Sequence, residues 1–419
     1  MTVDEKELAD YADTARTWLA ENLPPRGDAA GRSVAVFHDL PFDEERALLE
    51  RIQEWLRVKF DAGYGAISWP VELGGAGLST LHEEAFAEVE REFAHPGQHE
   101  LTSVSTELIA PTVQLFGTDA QKERLVRPLL RGEALACQLF SEPSAGSDLA
   151  GLSTRAVRDG DSWVVTGQKV WSSGAQFAGW GELIARTDPD VPKHKGLTAF
   201  LLPMDTPGVD VRPLRQMSGG SSFCEVFLDE VRIPDSLRLG EVGGGWGVTL
   251  ATLGFERGSS GANVDLGGGF TQLVADARAL GRTGDAEVRR ALADVWVAEK
   301  IAALSTQRDR ETRLAGGERA STVDSAGSVS GPIGSLRKLA WATRLKLVSD
   351  AAATVLGPRL VADAADGTYR WTEHYLGAPG YRIAGGSDEV QRTIIAERLL
   401  GLPPEPRADR GVAWKDIPR

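Results

Sequence analysis

The chain has 419 residues, 42% hydrophobic and 25% charged, the balance of a globular protein large enough to bury its own core without disulfide or metal staples. Forty-six basic against 60 acidic residues leave a net charge of −14, which argues against nucleic-acid binding by bulk charge. The two cysteines, Cys137 and Cys224, have no Cys-x-x-Cys spacing, which excludes a zinc ribbon or a dithiol redox pair, and they read as buried reduced thiols.

Residues 1–133 read as a helical domain. The start carries Asp4, Glu5 and Glu7 with no basic-then-apolar run, so it does not read as a signal peptide. No apolar run approaches the ~18 residues of a membrane span, and a cytoplasmic protein with no membrane partner is expected. Leu8, Tyr11, Ala15, Trp18 and Leu19 recur at helical spacing, as do Leu48, Ile52, Trp55 and Leu56. Residues 63–78 break the pattern with Gly and Pro and read as a loop. Helix resumes after Ser79, a candidate N-cap, and again after Asp119, a candidate cap for a segment ending at Gly132. His95 and His99 stand four apart, but Pro96 and Gly97 between them disfavour a helix, so no metal site is expected.

Residues 134–240 change to short β-rich runs separated by Gly, Pro and Asp, which suggest a small antiparallel sheet or barrel. Trp163–Thr166 and Lys169–Trp171 read as two strands with Gly167 at a turn between them. Runs around Leu183–Arg186, Leu197–Leu202, Val209–Val211 and Glu225–Leu228 follow. Residues 241–403 return to helix, with one stripe at Trp246, Leu250, Leu253 and Arg257 and another at Val288, Leu292, Val295 and Trp296. A third stripe is Leu336, Leu339, Ala340, Thr343 and Leu347. A Gly/Ser-rich loop is expected over 315–335, a last helix around Val390–Leu399, and a Pro-rich tail over 404–419. The expected fold is therefore α+β and mainly α: an N-terminal helical domain, a middle antiparallel β domain and a C-terminal helical bundle.

Four segments, in order and spacing, resemble the acyl-CoA dehydrogenase family. They are Trp69-Pro70-Val71-Glu72-Leu73-Gly74-Gly75-Ala76-Gly77, then Phe140-Ser141-Glu142-Pro143-Ser144-Ala145-Gly146-Ser147-Asp148, then Gly167-Gln168-Lys169-Val170-Trp171-Ser172-Ser173. The last is Gly385-Gly386-Ser387-Asp388-Glu389-Val390-Gln391-Arg392, followed by Ile395-Ala396-Glu397-Arg398. The resemblance implies a four-helix C-terminal bundle and FAD as cofactor. It places Trp171 and Ser173 against the flavin ring, Phe140 and Ser141 along it, and Gly146, Ser147, Ser387 and Glu389 among the cofactor-binding residues. Ser147 would also meet the CoA thioester, with Phe255 and Arg257 on the substrate side. The chemistry suits these residue types, since a planar ring needs an aromatic wall and phosphate oxygens need free backbone N–H groups.

The family's reaction removes an α-proton with a carboxylate and a β-hydride with the flavin, while hydrogen bonds hold the thioester oxygen. Many members carry the base just before the Gly of the fourth motif, where this chain has Gly385. In isovaleryl- and long-chain acyl-CoA dehydrogenases the base precedes an Arg on a helix of the bundle. The match here is Leu253-Gly254-Phe255-Glu256-Arg257, so the resemblance makes Glu256 the base, with Gly385 clearing space for it and offering its backbone N–H to the thioester. A buried carboxylate in that place is expected to have a raised pKa.

Two family segments that hold the adenosine end of FAD are replaced here by Arg278-Ala279-Leu280-Gly281-Arg282-Thr283-Gly284 and Val355-Leu356-Gly357-Pro358-Arg359-Leu360. Either FAD is held differently or a second subunit completes the site, as in the α2β2 heterotetramers of actinobacterial sterol side-chain degradation. The sequence therefore predicts FAD-dependent α,β-dehydrogenation of an acyl-CoA, in a homotetramer or α2β2 heterotetramer, with an electron-transferring flavoprotein as acceptor. A mainly structural partner subunit and a flavin monooxygenase or oxidase on the same fold are the alternatives.

Overall fold

The computed structural model describes residues 4–27, 33–37, 40–259, 267–315 and 331–418. The N-terminal part packs α1 (Glu5–Asn22), α2 (Phe42–Asp61) and α3 (Thr80–Glu90) around Leu19, Trp55, Phe86 and Val89. Ser79 precedes α3, but its hydroxyl meets His82 Nδ1 at 2.9 Å rather than capping the helix. A longer rod follows: α4 (Glu100–Ser103), a π-helical stretch Val104–Ile109, and α5 (Ala110–Phe116). Such single π turns inside helices recur at functional sites, and nothing in the sequence pattern announced this one. For α6 (Asp119–Leu130) the cap is Thr118, not Asp119: Thr118 and Gln121 exchange side-chain and backbone hydrogen bonds as a capping box.

The middle part is one sheet of eight strands among the described residues: β1 (Ala136–Leu139), β2 (Arg155–Asp159), β3 (Ser162–Ser173), β4 (Trp180–Arg186), β5 (Leu197–Pro203), β6 (Val209–Leu214), β7 (Phe223–Pro234) and β8 (Arg238–Leu239). Most neighbours are antiparallel, but β1 and β2 both pair parallel to β4, so the sheet is mixed rather than purely antiparallel. The two strands expected around Gly167 are one continuous β3. Gly167 is not a turn: a Cβ there would sit 2.7 Å from Thr154 Cα, so the glycine lets two backbones pass closely. One sheet face packs Cys137, Leu139, Leu183, Phe200 and Cys224 among themselves. Burial raises both thiols, Cys224 to about 11, so both stay protonated. The other face carries Ile184, Ala199 and Leu201 against α5, α6 and the next helix, α7 (Gly245–Ser259).

The C-terminal part holds α7 (Gly245–Ser259), α8 (Phe270–Ala279), α9 (Ala286–Leu314) and α10 (Gly331–Leu356), with α11 (Arg370–Gly377) and α12 (Asp388–Ile394) beyond. α10 begins at Gly331, so helix takes over the end of the expected loop, and 316–330 lie outside the described residues. The stripe read on α10 is only partly inward: Leu339 and Leu347 are half-buried, with Leu347 packed on the core, while Leu336, Ala340 and Thr343 are exposed and Lys338, Ala342, Arg344, Leu345 and Val348 point inward. α9 likewise buries Val288, Leu292 and Val295 but leaves Trp296, Val297, Ile301 and Leu304 exposed. The final residues return to the sheet domain, where Trp414 stacks under Arg186 at 4.3 Å and donates to Gly151 O. No helix among the described residues is long and apolar enough to cross a membrane.

Candidate active site

The site forms where the sheet domain meets α7, α10 and the turn before α12. The second and third motifs are bound to each other by a buried pair. Lys169, fully enclosed, donates to Phe140 O and to Glu142 Oε1, each at 3.0 Å. Glu142 also accepts from the backbone N–H of Ser153 and Thr154, and Val170 N–H donates to Ser141 O. Against burial, Lys169 and these donors hold the Glu142 carboxyl below its usual range. The loop between them leaves Gly146 and Ser147 exposed, and a Cβ on Gly146 would meet nothing within 4 Å. The Phe140 ring is packed into the core, so its motif contributes backbone and loop more than an aromatic face.

Trp171 is the conspicuous side chain here. It is 60% exposed and held at φ 63°, in the left-handed region that non-glycine residues avoid. A register shift between Lys169 and Ser172 produces that turn-out. An indole strained outward beside a small-residue loop with open space above it fits a planar ring followed by a pyrophosphate. Ser173, two residues on, faces the carboxyl of Glu100 at the start of α4. Burial raises Glu100, and Ser173 and then His99 oppose that rise. His99 is the N-cap of α4 and pairs with Glu45, and His95 Nδ1 accepts from Gly97 N–H.

A chain of ring contacts crosses from Trp171 to the helical bundle. Trp171 meets Phe223 edge-on at 5.9 Å, Phe223 meets Phe37 at 5.3 Å, Phe37 stacks on Tyr381 at 4.9 Å, and Tyr381 meets Trp341 at 4.5 Å. The Tyr381 phenol is pushed up by burial and then by the charges of Glu100 and Glu256. At this end the structure brings Glu256 and Gly385 together. A Cβ on Gly385 would lie 2.8 Å from Glu256 Oε1, and Gly385 is in the left-handed region at φ 65°. The turn is pinned from beneath: Gln391 Nε2 donates to Gly385 O at 2.7 Å, and Lys338 Nζ donates to Gly386 O at 2.7 Å.

The remaining expected residues are placed less centrally. Ser387 is the N-cap of α12, its hydroxyl accepting from Val390 N–H, while Glu389 is exposed beside Arg392. Phe255 is half-buried on α7, and the Arg257 side chain lies outside the described residues. Arg282 reaches the carbonyls of Thr354 and Val355 at the end of α10 and Asp285, so it caps a helix within this chain. Sequence reasoning passed over Lys338, Glu100, Tyr381 and Phe37, because lone residues on helices or in a connection carry no spacing signal. Lys169 and Glu142 stood inside quoted motifs, and their opposite charges were the available clue.

Helices, mixed sheet and helical bundle in this order make the fold of a flavin-dependent oxidoreductase. Three family models match in succession: acyl-CoA dehydrogenase N-terminal domain at residues 5–133, middle domain at 137–231 and C-terminal domain at 243–400. The acyl-CoA dehydrogenase IpdE1 of Mycobacterium tuberculosis is 36% identical over 408 residues, 96% of this chain and 99% of that protein. Acyl-CoA dehydrogenase FadE34 of the same organism is 42% identical over 298 residues, covering 70% of this chain and 39% of its own length. Among solved structures, the Tcur3481-Tcur3483 steroid ACAD superposes with TM-score 0.74 at 26% identity, covering 97% of this chain and all of that one. The ChsE4-ChsE5 complex from Mycobacterium tuberculosis shares the fold, with TM-score 0.72 at 24% identity over 97% of this chain and 100% of that chain. The chain belongs to the acyl-CoA dehydrogenase family, whose fold binds FAD and whose chemistry is dehydrogenation of acyl-CoA thioesters.

Proposed function

We propose that this protein dehydrogenates an acyl-CoA at its α,β-bond with Glu256 as the base. The observation that carries the reading is the contact between the Glu256 carboxylate and the place a Gly385 side chain would fill. A carboxylate on α7 and a glycine at the fourth motif are complementary: each occupies the room that the other leaves. The Gly146–Ser147 loop and Trp171 would hold FAD, which when bound would supply the hydride acceptor for the β-carbon. The chain's own residues bind and orient the thioester, and Glu256 takes the α-proton as the α,β double bond forms. Backbone N–H groups of the turn, with Gly385 first among them, meet the thioester oxygen as it gains enolate character. Glu256→Gln is expected to retain bound FAD and lose thioester-dependent flavin bleaching. Bleaching at the wild-type rate would remove Glu256 from the mechanism.

Surfaces of the bundle support an assembly. Exposed Trp296, Ile301 and Leu304 on α9 and Leu336 on α10 make an apolar exterior that a lone chain would not keep in water. Arg282 caps α10 within this chain, so its guanidinium is committed there rather than to a neighbour's adenosine. Both features fit a tetramer with a second dehydrogenase-like subunit, and the similar solved proteins carry paired names, Tcur3481-Tcur3483 and ChsE4-ChsE5. The word steroid in the name of the first supports a bulky acyl group as substrate; an electron-transferring flavoprotein as acceptor and a cytoplasmic site of action complete the proposal. Flavin per chain, measured on this chain alone and after co-expression with a second dehydrogenase-like subunit, tests the assembly. A full complement of FAD with turnover by the chain alone would dismiss the heteromer.

A further inference from the structure

Lys338 is 2% exposed, on the inward face of α10, with no place in the chemistry described above. Lysine is almost never enclosed unless it is paired. Its Nζ donates to Gly386 O at 2.7 Å. Its Cε and Glu256 Oε1 both lie within 4 Å of one point, the position of a Cβ on Gly385. The lysine, the carboxylate and the turn thus share one corner.

We propose that Lys338 is a positioning residue for the base, its buried ammonium keeping the Glu256 carboxylate ionised and anchoring the Gly385–Gly386 turn against it. The proposal rests on Glu256 being the base. The charged groups facing Lys338 come from three elements. α7 offers Glu256, the segment before the turn offers Arg382, and α12 offers Asp388 and Glu389. Asp388 is taken up by Arg382, whose Nε donates to Asp388 Oδ2 at 2.7 Å, and Glu389 is exposed and lies 3.6 Å from Arg392. Asp388 acts on Lys338 more strongly than Glu256 does, and Glu256 is the carboxylate that meets Lys338 at the Gly385 turn. Burial lowers the Lys338 ammonium, and Asp388 and then Glu256 work against that loss of charge. An opposite charge beside a buried carboxylate favours its ionised form by ~1–3 pH units. A base so held accepts a proton at neutral pH without first having to lose one.

The test uses the assembled holoenzyme and three variants: Lys338→Met, Lys338→Gln and Lys338→Arg. Gln can still donate to Gly386 O but carries no charge, so it separates anchoring from electrostatics. The acid limb of kcat/KM for thioester-dependent flavin bleaching should move up by ~1–3 pH units in Met and in Gln and stay in place in Arg. Met should in addition lose thioester affinity that Gln keeps. The same shift should appear without turnover, in a pH titration of the carboxyl infrared band that Glu256→Gln removes. If the flavin-loaded Gln variant keeps the wild-type limb and the wild-type infrared titration, the proposal is overturned. Should the Glu256→Gln enzyme bleach normally, the reading of Glu256 fails instead, whatever Lys338 does.

Discussion

The Glu256 carboxylate oxygen lies 2.8 Å from the point where a Gly385 side chain would begin. The two residues are 129 positions apart in sequence and meet because α7 and the turn before α12 both pack on α10. Their relationship is exclusive, since a carboxylate can be supplied from one side or the other but not from both. Gly385→Ala should therefore displace Glu256 and also force a Cβ into left-handed backbone, at ~1–2 kcal/mol of stability. Bleaching by thioester should fall at least tenfold with FAD retained. The exchange Glu256→Gly with Gly385→Glu moves the carboxylate across the site and should recover part of the rate that Glu256→Gly alone loses. Activity in the Gly385→Ala enzyme equal to wild type would mean the contact is not under pressure.

How far the site was legible follows from such pairs. Glu256 and Gly385 could be nominated from two short motifs, because each was the complement of the other. The α-β-α order was legible from periodicity for the same reason. What escaped was anything set by tertiary direction. Gly167 looked like a turn in one dimension and is a point of close backbone approach in three. The stripe Leu336, Leu339, Ala340, Thr343 and Leu347 has helical spacing, but spacing does not say which side of α10 is inward: Leu339 and Leu347 are half-buried, the other three are exposed, and the fully inward side carries Lys338 and Arg344. The π-helical stretch Val104–Ile109 leaves no trace in hydrophobic pattern. Phe37, in the connection between α1 and α2, enters the site only because Gly380 leaves room: a Cβ there would sit 2.6 Å from its ring.

Trp171 carries strain whose removal should be measurable. At φ 63° and 60% exposed it contributes little packing and holds an unfavourable backbone. Trp171→Gly is expected to raise the stability of the FAD-free protein by ~1 kcal/mol while weakening FAD retention, because the wall proposed for the ring is gone. Urea unfolding of the apo form and FAD release on dilution read the two effects separately. A variant that loses stability and keeps its flavin would show that the indole serves the fold.

The Lys169–Glu142 pair ties the second and third motifs together in a dry interior, with side chains 0% and 5% exposed. Lys169→Met leaves a buried carboxylate with its backbone donors and no counter-charge, a loss of ~3–5 kcal/mol. Bound FAD should fall with it, since Phe140 O also loses its donor. In the wild type the folded Glu142 carboxyl is held below its ordinary 4.5, so its contribution is present above that pH and is lost as pH falls through the lower folded value. Acid unfolding curves of wild type and Lys169→Met should therefore converge at low pH. Parallel curves would exclude this pair as the source.

Glu182 on β4 makes the opposite prediction. It is fully buried, and burial raises its carboxyl to about 8, opposed by the hydroxyl of Thr252 at 2.8 Å. Thr252 in turn meets Thr112 of α5 at 3.0 Å, so the acid sits under α7 one turn before Glu256 and links that helix to the rod that bears the π-helical stretch. Between the unfolded value of 4.5 and the folded value of about 8, the folded chain holds a proton that the unfolded chain releases. Folding is thus favoured by this group below 4.5 and progressively less so as pH rises through 8, where the deficit is complete. Glu182→Gln keeps an amide for Thr252 and does not ionise. It should stabilise the protein by on the order of 1–3 kcal/mol at pH 8 and by little at pH 5. Chemical unfolding at the two pH values measures this directly, and an equal gain at both would place the effect in packing rather than in the proton. A gain in stability together with a slower thioester-dependent bleaching would show that the acid is kept to set the position of α7, and with it the reach of Glu256.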